Sequence, residues 1–284
     1  MKSLLIADSG SSKTDWVLTT EKGDTLEVQT TGINPVRDSQ RVISFVINEE
    51  LLPHLPNKDI TSVHFYGAGC ITPFKSNVES VLTESFPTSK INVESDLLGA
   101  ARALCGNTPG IACILGTGSN SCLYDGENIT ENVSPLGYIL GDEGSGAVLG
   151  RTLVGDVLKK QLPDALCEEF LSHHSLTPTD IIERVYRQPQ ANMFLASLVP
   201  FLHLKRNIPQ IHKLLTDAFK SFLHRNILQY NRLDLSVNFI GSIAFFFQEE
   251  LTEALQCESM KRGTIIHKPI HEITKYHKNR CFYT

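Results

Sequence analysis

The chain has 284 residues, enough for one large domain or two ordinary ones with a substantial hydrophobic core. Its net charge of −5 and its pI near 6.1 disfavour a nucleic-acid or acidic-membrane surface, so a small-molecule role is expected. The apolar stretch before Asp8 is too short for a signal sequence, and no later apolar run approaches the roughly 18 residues of a membrane span. A cytoplasmic protein is therefore predicted.

Strand-like and helix-like patterns alternate over the first hundred residues. Three short β-prone runs, with a turn at residues 21–24, predict an antiparallel meander. A helix ended by Pro53 and two strand–helix pairs then complete the order βββαβα. The predicted strands are 3–7, 15–20, 27–31, 63–66 and 91–94, and the predicted helices are 42–52, 73–86 and 97–104.

After a linker at residues 106–110 the pattern partly restarts. Two further strands, with a glycine loop between them and a turn after them, repeat the arrangement at the start of the chain. If both halves of the chain have this architecture, the two glycine loops are expected to face one another across a cleft. A helix is predicted to start at Gly141–Gly144, and an apolar stripe between Ile208 and Leu228 is predicted to be core. The remaining predicted strands are 111–116, 121–124, 237–240 and 265–266, and the last predicted helices are 243–255 and 270–276.

Two loops rich in glycine and small hydroxyls carry the first functional signal. The stretch IACILGTGSNS leaves its apolar run at Gly116, and LLIADSGSSKTD does the same after Asp8. Backbone N–H groups of such turns converge on anionic oxygens, above all on phosphate. Lys13 and Thr14 add candidate phosphate donors. Neither GxxxxGK[ST] nor GxGxxG occurs, which disfavours P-loop and dinucleotide-binding proteins.

Several polar side chains stand at the ends of predicted elements, each with a structural alternative. Asp8 suits Mg²⁺, commonly held through water, or caps its turn. Asp96, between a strand and a helix, suits a general base for an attacking hydroxyl, or an N-cap. Asp142 and Glu143, in the predicted first helical turn between glycines, suit sugar hydroxyls or the helix dipole. Asn34 is a candidate for similar contacts.

The seven cysteines form no CxxC pair and no Cys/His cluster of metal spacing, so reduced and mostly buried thiols are predicted. Among the ten histidines, His173 and His174 are neighbours whose side chains would point apart on a helix. Surface or capping roles are expected for the others.

Taken in chain order, six motifs resemble the BadF/BadG/BcrA/BcrD ATPase family, in particular its N-acetylglucosamine kinase-like branch in the actin, sugar kinase and heat-shock chaperone superfamily. The resemblance spans nearly the whole chain, and GTGSN followed about twenty residues later by GDEGS is specific to that branch. The cysteine-rich zinc motif of ROK-type sugar kinases is missing, so no structural metal is expected. The motifs are ADSGSSKTDW at 7–16, GINP at 32–35, ESDLLGAARAL at 94–104, ILGTGSNS at 114–121, LGDEGSGAVLG at 140–150 and FIGSIAFFF at 239–247.

The resemblance implies an α/β fold with two RNase H-like (βββαβα) domains and a nucleotide cleft between them. The expected domains are residues 1–110 and residues 111–284, the second enlarged by helices, with the last helix, about 269–280, packing back on the first. Asp96 matches the catalytic base and Asp8 the Mg²⁺ ligand. The ATP-binding positions are Asp8, Gly10, Ser11, Ser12, Lys13, Thr14, Gly116, Thr117, Gly118, Ser119, Gly241 and Ser242. The amino-sugar positions are Asn34, Asn120, Gly137, Asp142 and Glu143.

These features predict an ATP-dependent kinase that transfers the γ-phosphate to a hydroxyl of N-acetylglucosamine or a related amino sugar. Phosphoryl transfer depends on positioning and charge stabilisation, which glycine loops, Mg²⁺ and one carboxylate supply. One alternative is an ATPase activator of a dehydratase, which requires cysteines that share an iron–sulfur cluster across a dimer. Another is a non-catalytic sugar or nucleotide sensor. The sugar, the hydroxyl and the oligomeric state, a homodimer included, stay open.

Overall fold

The computed structural model describes residues 2–10, 12–57 and 59–282. The chain divides into two compact units. The first comprises the chain up to Thr108, the short segment Gly126–Asn128 and the chain from Lys268 onward. The second comprises Pro109–Asp125 and Ile129–His267. The first and the last described residues, Lys2 and Phe282, therefore both belong to the first unit.

The first unit is built on a mixed sheet in which the first three strands form the predicted antiparallel meander. The last two strands run parallel to the first, and the strand order is β3-β2-β1-β4-β5. Apolar residues on both faces of the central strand are buried, as expected for a strand covered on both sides. The strands are β1 (Ser3–Ser9), β2 (Lys13–Thr20), β3 (Thr25–Thr31), β4 (Ser62–Gly67) and β5 (Lys90–Ser95).

Helices cover both faces of this sheet. Because side chains alternate along a strand, Leu5 and Ala7 pack into one buried cluster while Leu4 and Ile6 pack against the C-terminal helix. The helices are α1 (Gln40–Phe45), α2 (Lys75–Ser85), α3 (Asp96–Cys105) and the C-terminal helix (Ile270–Phe282). A π-helical segment, Val46–Leu51, and a 3₁₀ turn, Leu52–His54, continue α1.

The second unit repeats this plan. Its first three strands are antiparallel neighbours, its last two run parallel to its first, and their order is β8-β7-β6-β9-β10. The predicted α/β fold with two RNase H-like sheets is thus confirmed. The strands are β6 (Gly110–Leu115), β7 (Ser119–Tyr124), β8 (Ile129–Glu131), β9 (Val237–Ile240) and β10 (Arg262–Ile266).

Additional helices enlarge the second unit, as predicted. The apolar stripe between Ile208 and Leu228 is confirmed as core, since most of its side chains are buried and the rest pack against them. The helices are α4 (Gly137–Leu140), α5 (Gly146–Leu158), α6 (Asp164–His174), α7 (Pro178–Tyr186), α8 (Ala191–Ser197), α9 (Val199–Leu204), α10 (Pro209–Phe222), α11 (Ser242–Phe246) and α12 (Gln248–Cys257). A π-helical segment, Leu223–Ile227, and a 3₁₀ turn, Leu228–Tyr230, continue α10.

The predicted helix start at Gly141–Gly144 is wrong. Asp142 and Gly144 have positive φ angles, 52° and 70°, which a right-handed helix cannot accommodate. Helix α5 begins instead at Gly146, and the hydroxyl of Ser145 caps it by accepting a hydrogen bond from the N–H of Val148 at 3.3 Å. Asp142 and Glu143 therefore belong to a turn before the helix.

Three smaller expectations also differ from the structure. The predicted helix 243–255 is broken at Phe247, whose φ of −112° and ψ of 31° separate α11 from α12. The three-residue strand β8 was not expected, because so short a run carries little pattern. The imidazole rings of His173 and His174 do not point apart, since their centroids lie 4.8 Å from one another.

The seven cysteines all lie in the described residues and carry free thiols, and four of them are buried. Across residues 2–10, 12–57 and 59–282, no helix has the length and apolar character needed to cross a membrane.

Candidate functional site

The β1–β2 loop of the first unit is shaped by close backbone packing. The N–H of Gly10 donates to the carbonyl of Lys13 at 3.0 Å, and the N–H of Gly32 donates to the carbonyl of Ser12 at 3.2 Å. A Cβ atom at Gly32 would collide with the Gly10 carbonyl oxygen, so this close approach requires glycine. Gly10, Ser12 and Lys13 are exposed, whereas Ser11, another predicted phosphate contact, lies outside the described residues.

Thr14, predicted as a phosphate donor, is buried at the base of this loop. Its hydroxyl forms a hydrogen bond of 2.7 Å with the hydroxyl of Ser9 and donates to the carbonyl of Thr31 at 3.2 Å. The Ser9 hydroxyl also contacts the backbone of Ile33. The geometry of the Thr14 side chain is thus that of a residue that holds the loop together.

Asp8 and Asp96 lie at one edge of the first sheet. Asp8 is near the carboxyl end of β1, Asp96 directly follows β5, and the carboxyl ends of parallel strands meet at the same edge. Burial raises the pKa of Asp8 to about 7, and the charges of Asp96 and Asp15 add to this effect. Burial also raises the pKa of Asp96, against the hydrogen bond that the N–H of Leu97 donates to its Oδ1 at 2.9 Å. Two carboxyl groups with raised pKa values therefore lie at this edge of the sheet.

Asn34 lies at the same edge. Its Oδ1 accepts a hydrogen bond from the N–H of Val36 at 3.1 Å, and its own N–H donates to Asp38 Oδ2 at 2.8 Å. The side chain packs against Gly69, where a Cβ atom would collide with the Asn34 amide oxygen. Gly69 follows the carboxyl end of β4, and β4 lies between β1, which contains Asp8, and β5, which precedes Asp96. The structure thus brings these three predicted residues to one region.

The β6–β7 loop of the second unit rests on the start of helix α5. The N–H groups of Gly146 and Ala147 donate to the carbonyls of Gly116 and Thr117 at 2.8 and 3.0 Å. Within the loop, the N–H of Gly116 donates to the carbonyl of Gly118 at 2.9 Å. The loop conformation is therefore fixed by backbone hydrogen bonds on both sides.

Asp142 and Glu143 are adjacent, but their carboxylates have different partners. Asp142 Oδ1 accepts a hydrogen bond from the N–H of Ser119 at 3.3 Å, so this carboxylate lies beside the β6–β7 loop. Burial raises its pKa. Glu143 instead forms an ion pair with Arg225 and accepts a hydrogen bond from Asn226 Nδ2 at 3.4 Å. The structure thus brings Asp142, and not Glu143, to the loop.

Two further predicted sugar contacts, Asn120 and Gly137, lie between Ser119 and Asp142 in the sequence. Asn120 Oδ1 accepts hydrogen bonds from the N–H of Ser121 and from Asn132 Nδ2, both at 2.9 Å. Gly137 starts helix α4 with a φ of 75°, and its carbonyl accepts from the N–H of Gly141 at 2.8 Å.

The Gly241–Ser242 turn packs against the end of β6. Gly241 has a φ of 117°, and a Cβ atom there would collide with the carbonyl of Leu115, the residue before Gly116. This turn and the β6–β7 loop line one cavity of about 240 Å³ together with α8. The lining residues are Gly116, Thr117, Gly146, Met193, Ala196, Ser197, Ser242 and Ile243.

Sequence reasoning missed Met193, Ala196 and Ser197. Helix α8 reaches the cavity because α5 carries glycine where the two helices meet: a Cβ atom at Gly150 would collide with the carbonyl of Leu195. In the sequence, the spacing of Gly146 and Gly150, one helical turn apart, was the signal that could have predicted a second segment packed closely against α5. Nothing in the sequence around Lys268 indicated that its ammonium group lies 3.4 Å from Asp15 Oδ2.

This fold and these loops define a class of protein. Two α/β units with the same strand order, each with a glycine loop after its first strand, are the architecture of actin-like sugar kinases. Two solved structures of low identity share the fold: a ROK hexokinase from Thermus thermophilus (14% identity, 96% of this chain and 98% of that chain, TM-score 0.56) and a putative N-acetylglucosamine kinase from Chromobacterium violaceum (18%, 97% and 99%, TM-score 0.70).

A third solved structure shows the family. It is a putative N-acetylglucosamine kinase from Porphyromonas gingivalis, 48% identical over 97% of this chain and 99% of that chain, with a TM-score of 0.94. The chain belongs to the family of this protein, and the resemblance to the N-acetylglucosamine kinase-like branch is confirmed. Neither a protein-family model nor a curated protein matches the chain.

Proposed function

We propose that the protein is an ATP-dependent kinase that transfers the γ-phosphate of ATP to a hydroxyl of N-acetylglucosamine or a related amino sugar. The observation that carries this proposal is the 48% identity, over nearly all of both chains, to the Porphyromonas gingivalis protein described as a putative N-acetylglucosamine kinase. The chemistry of the described side chains supports it, residue by residue.

Asp96 is proposed as the general base. A carboxylate whose pKa is raised by burial is a stronger base than an exposed one, and it suits removal of a proton from a sugar hydroxyl. The hydrogen bond from the N–H of Leu97 fixes the direction of the carboxylate. As the hydroxyl oxygen forms its bond to phosphorus and the bond from phosphorus to the ADP oxygen breaks, Asp96 accepts the hydroxyl proton.

The two glycine loops are proposed to bind the phosphates of the nucleotide. The exposed hydroxyls of Ser12 and Thr117 and the exposed ammonium group of Lys13 suit phosphate oxygens, whereas the buried hydroxyl of Thr14 supports the first loop from beneath. The cavity beside Gly241 and Ser242 is partly apolar, with Met193 and Ile243 in its wall, and we assign the nucleoside to it.

Asp8 fits a magnesium ion. Its carboxylate is half-buried, and negatively charged neighbours raise its pKa further, so that a cation would relieve an unfavourable charge. Magnesium is commonly held by one or two carboxylates together with water and substrate phosphates. Asp8 would hold the ion, which supplies positive charge for the transferred phosphoryl group.

We assign the sugar to Asn34, Asn120, Gly137 and Asp142. Glu143 was predicted beside them, but its ion pair with Arg225 supports a structural role, so the acidic hydrogen-bond acceptor for a sugar hydroxyl is proposed to be Asp142. A cytoplasmic location, a homodimer and membership in the wider BadF/BadG/BcrA/BcrD group stay predictions from the sequence.

A coupled ADP-release assay tests the proposal. Purified protein is given ATP, MgCl₂ and one sugar from a panel of N-acetylglucosamine, other amino sugars, neutral hexoses and muramic acid derivatives. We expect ADP release that depends on an amino sugar and exceeds the rate with the neutral hexoses. Nucleotide binding without sugar-dependent turnover on any member of the panel would contradict the proposal.

A further inference from the structure

We infer that Lys268 is a nucleotide-binding residue: together with Lys13 it forms a two-lysine anion site, oriented by Asp15, that takes the terminal phosphates of ATP. This inference rests on the proposed function. It adds a residue far from both glycine loops in the sequence, in the segment that precedes the C-terminal helix.

The two ammonium groups share one carboxylate oxygen. Lys13 Nζ and Lys268 Nζ each lie 3.4 Å from Asp15 Oδ2, so the two nitrogens lie within twice that distance of one another. The other oxygen, Oδ1, accepts a hydrogen bond from Gln29 Nε2 at 2.6 Å. Each ammonium group has three donors, and one shared carboxylate oxygen satisfies only part of that capacity.

The exposure of the three side chains shows which charge is available to a ligand. Asp15 is 16% exposed, whereas Lys13 and Lys268 are 45% and 44% exposed. Burial alone would raise the pKa of Asp15, but the hydrogen bond from Gln29 and the charges of the two lysines lower it. An ionised carboxylate thus lies beneath two accessible ammonium groups, and the three side chains Lys13, Asp15 and Lys268 together carry one net positive charge.

The cluster lies next to the carboxylate that we assign to magnesium. Asp15 on β2 is the register partner of Asp8 on β1, so the two side chains emerge side by side. Lys13 is the first residue of β2, directly after the β1–β2 loop, and it lies beside the carboxyl end of β1, the strand that carries Asp8. The positive charge is therefore directed at the place where phosphates and a cation would meet. Lysine binds phosphate as a mobile point charge, which suits such a position.

If Lys13 and Lys268 served only to stabilise the fold around Asp15, one of the two lysines would be enough. One lysine is enough to neutralise Asp15, and the amide of Gln29 already holds its second oxygen. Asp8 also attracts the ammonium group of Lys268, but we assign Asp8 to magnesium. A second lysine at the same oxygen adds like-charge repulsion between two ammonium groups. An anion placed against both ammonium groups would offset that repulsion.

The test is the affinity of the full-length protein for ATP, ADP and adenosine, measured by isothermal titration calorimetry without sugar. The variants are Lys268→Arg, Lys268→Gln and Lys268→Glu. Lys275→Gln, in the C-terminal helix, is the matched control, because this lysine is 71% exposed and its ion pair is with Glu272. Thermal melting of each variant monitors the fold.

We expect Lys268→Gln to weaken ATP binding by about ten-fold to a hundred-fold, the range of a hydrogen bond to a charged group. Lys268→Glu should weaken it more, and Lys268→Arg should retain most of it. ADP should follow ATP, whereas adenosine, which has no phosphate, should bind all variants as it binds the wild type. Lys275→Gln should leave all three affinities unchanged.

Wild-type ATP affinity in Lys268→Gln would overturn the inference, as would an equal loss for adenosine, since either result leaves Lys268 with a structural role alone. The proposed function fails separately. A wild-type protein that binds ATP through Lys268 but phosphorylates no sugar contradicts the kinase and retains the anion site. If the wild-type protein shows sugar-dependent turnover and Lys268→Gln binds ATP as tightly as wild type, the kinase is supported and the anion site is contradicted. A wild-type protein that binds no ATP contradicts both.

Discussion

Asp96 can be tested by a substitution that preserves its shape. Asparagine keeps an oxygen that can accept the hydrogen bond from the N–H of Leu97, and the N-cap of helix α3 belongs to Ser95, so Asp96→Asn should fold normally. It removes the proton acceptor. We expect kcat to fall by about 10²- to 10⁴-fold, the usual contribution of general base catalysis, while ATP affinity stays within about two-fold of wild type.

Steady-state kinetics of the ADP-release assay, with a thermal melt of both proteins, provide the measurement. The loss should appear in kcat, because Asp96 is assigned to the transferred proton and not to the nucleotide. A variant with wild-type kcat would remove Asp96 from the role of base and leave it as a helix-start residue. A variant with a lowered melting temperature and weak ATP binding would instead assign it a structural role.

At the scale of elements, the sequence predicted the regular parts of both sheets and failed where a distant contact decides the backbone. Apolar or β-branched runs bounded by turns predicted all but one strand, because such a run is a local pattern in the sequence. The predicted start of helix α5 was wrong because Asp142 has a left-handed backbone conformation, and its carboxylate accepts a hydrogen bond from the N–H of Ser119 on strand β7. Local propensity contains no information about such a partner.

The candidate site divides in the same way. The glycine loops were predictable, since each comes directly after an apolar strand and contains glycine residues. Met193 and Lys268 were not, because each reaches its place through packing between segments that are distant in sequence. Glu143 looked equivalent to Asp142 in the sequence, and only its ion pair with Arg225 distinguishes the two.

The contact between helices α5 and α8 gives a prediction with an internal control. Gly150 and Gly155 both lie in α5, but a Cβ atom at Gly150 would collide with the carbonyl of Leu195, whereas a Cβ atom at Gly155 has no neighbour within 4 Å among the described residues. We expect Gly150→Ala to lower the free energy of unfolding by about 2 kcal/mol or more through overpacking. Gly155→Ala should raise it by about 0.5–1 kcal/mol, because alanine is the better helix former.

Urea denaturation of the two variants and the wild type measures this difference. Gly150→Ala should also weaken adenosine binding, because it displaces the helix that carries Met193 and Ala196 into the proposed nucleoside cavity. Equal stability of the two variants would contradict the prediction, because it would show that α8 can shift to accommodate the added Cβ atom at little cost. An unchanged adenosine affinity in a destabilised Gly150→Ala protein would separate the cavity from nucleoside binding.

At the scale of the whole chain, the last helix returns to the unit in which the chain begins. Residues of the C-terminal helix pack on β1 and β4, and a stacked pair of histidines, half-buried His64 on β4 and buried His277 on the helix, joins the helix to the sheet. The rings of His64 and His277 are stacked with centroids 3.8 Å apart, and His277 Nε2 shares a hydrogen bond of 2.8 Å with the Tyr66 hydroxyl. The hydroxyl of Tyr66 also accepts a hydrogen bond from Arg102 at 2.7 Å.

This pair predicts a loss of stability in acid. Burial, with the charges of Arg102 and Lys90, lowers the pKa of His64 to about 4 from an ordinary value near 6.5. Burial, with the charge of His64 and then those of nearby arginines, lowers the pKa of His277 to about 2. The unfolded chain therefore binds protons below about pH 6.5 that the folded chain excludes. Stability contributed by the neutral pair is present above that pH and is lost as the pH falls towards the folded values.

His277→Gln isolates this contribution, because glutamine can still form a hydrogen bond with the Tyr66 hydroxyl but cannot take up a proton. The variant should be less stable than wild type at pH 7.5, and the difference in the free energy of unfolding should shrink by about 1.4 kcal/mol per pH unit between pH 6.5 and 4.5. The raised pKa of Asp8 acts in the opposite direction over part of this range, but it is present in both proteins and cancels in the difference. Urea unfolding at several pH values gives the two curves. Parallel curves would mean that His277 titrates alike in the folded and unfolded chain, and that its burial against His64 is not what joins the C-terminal helix to the sheet.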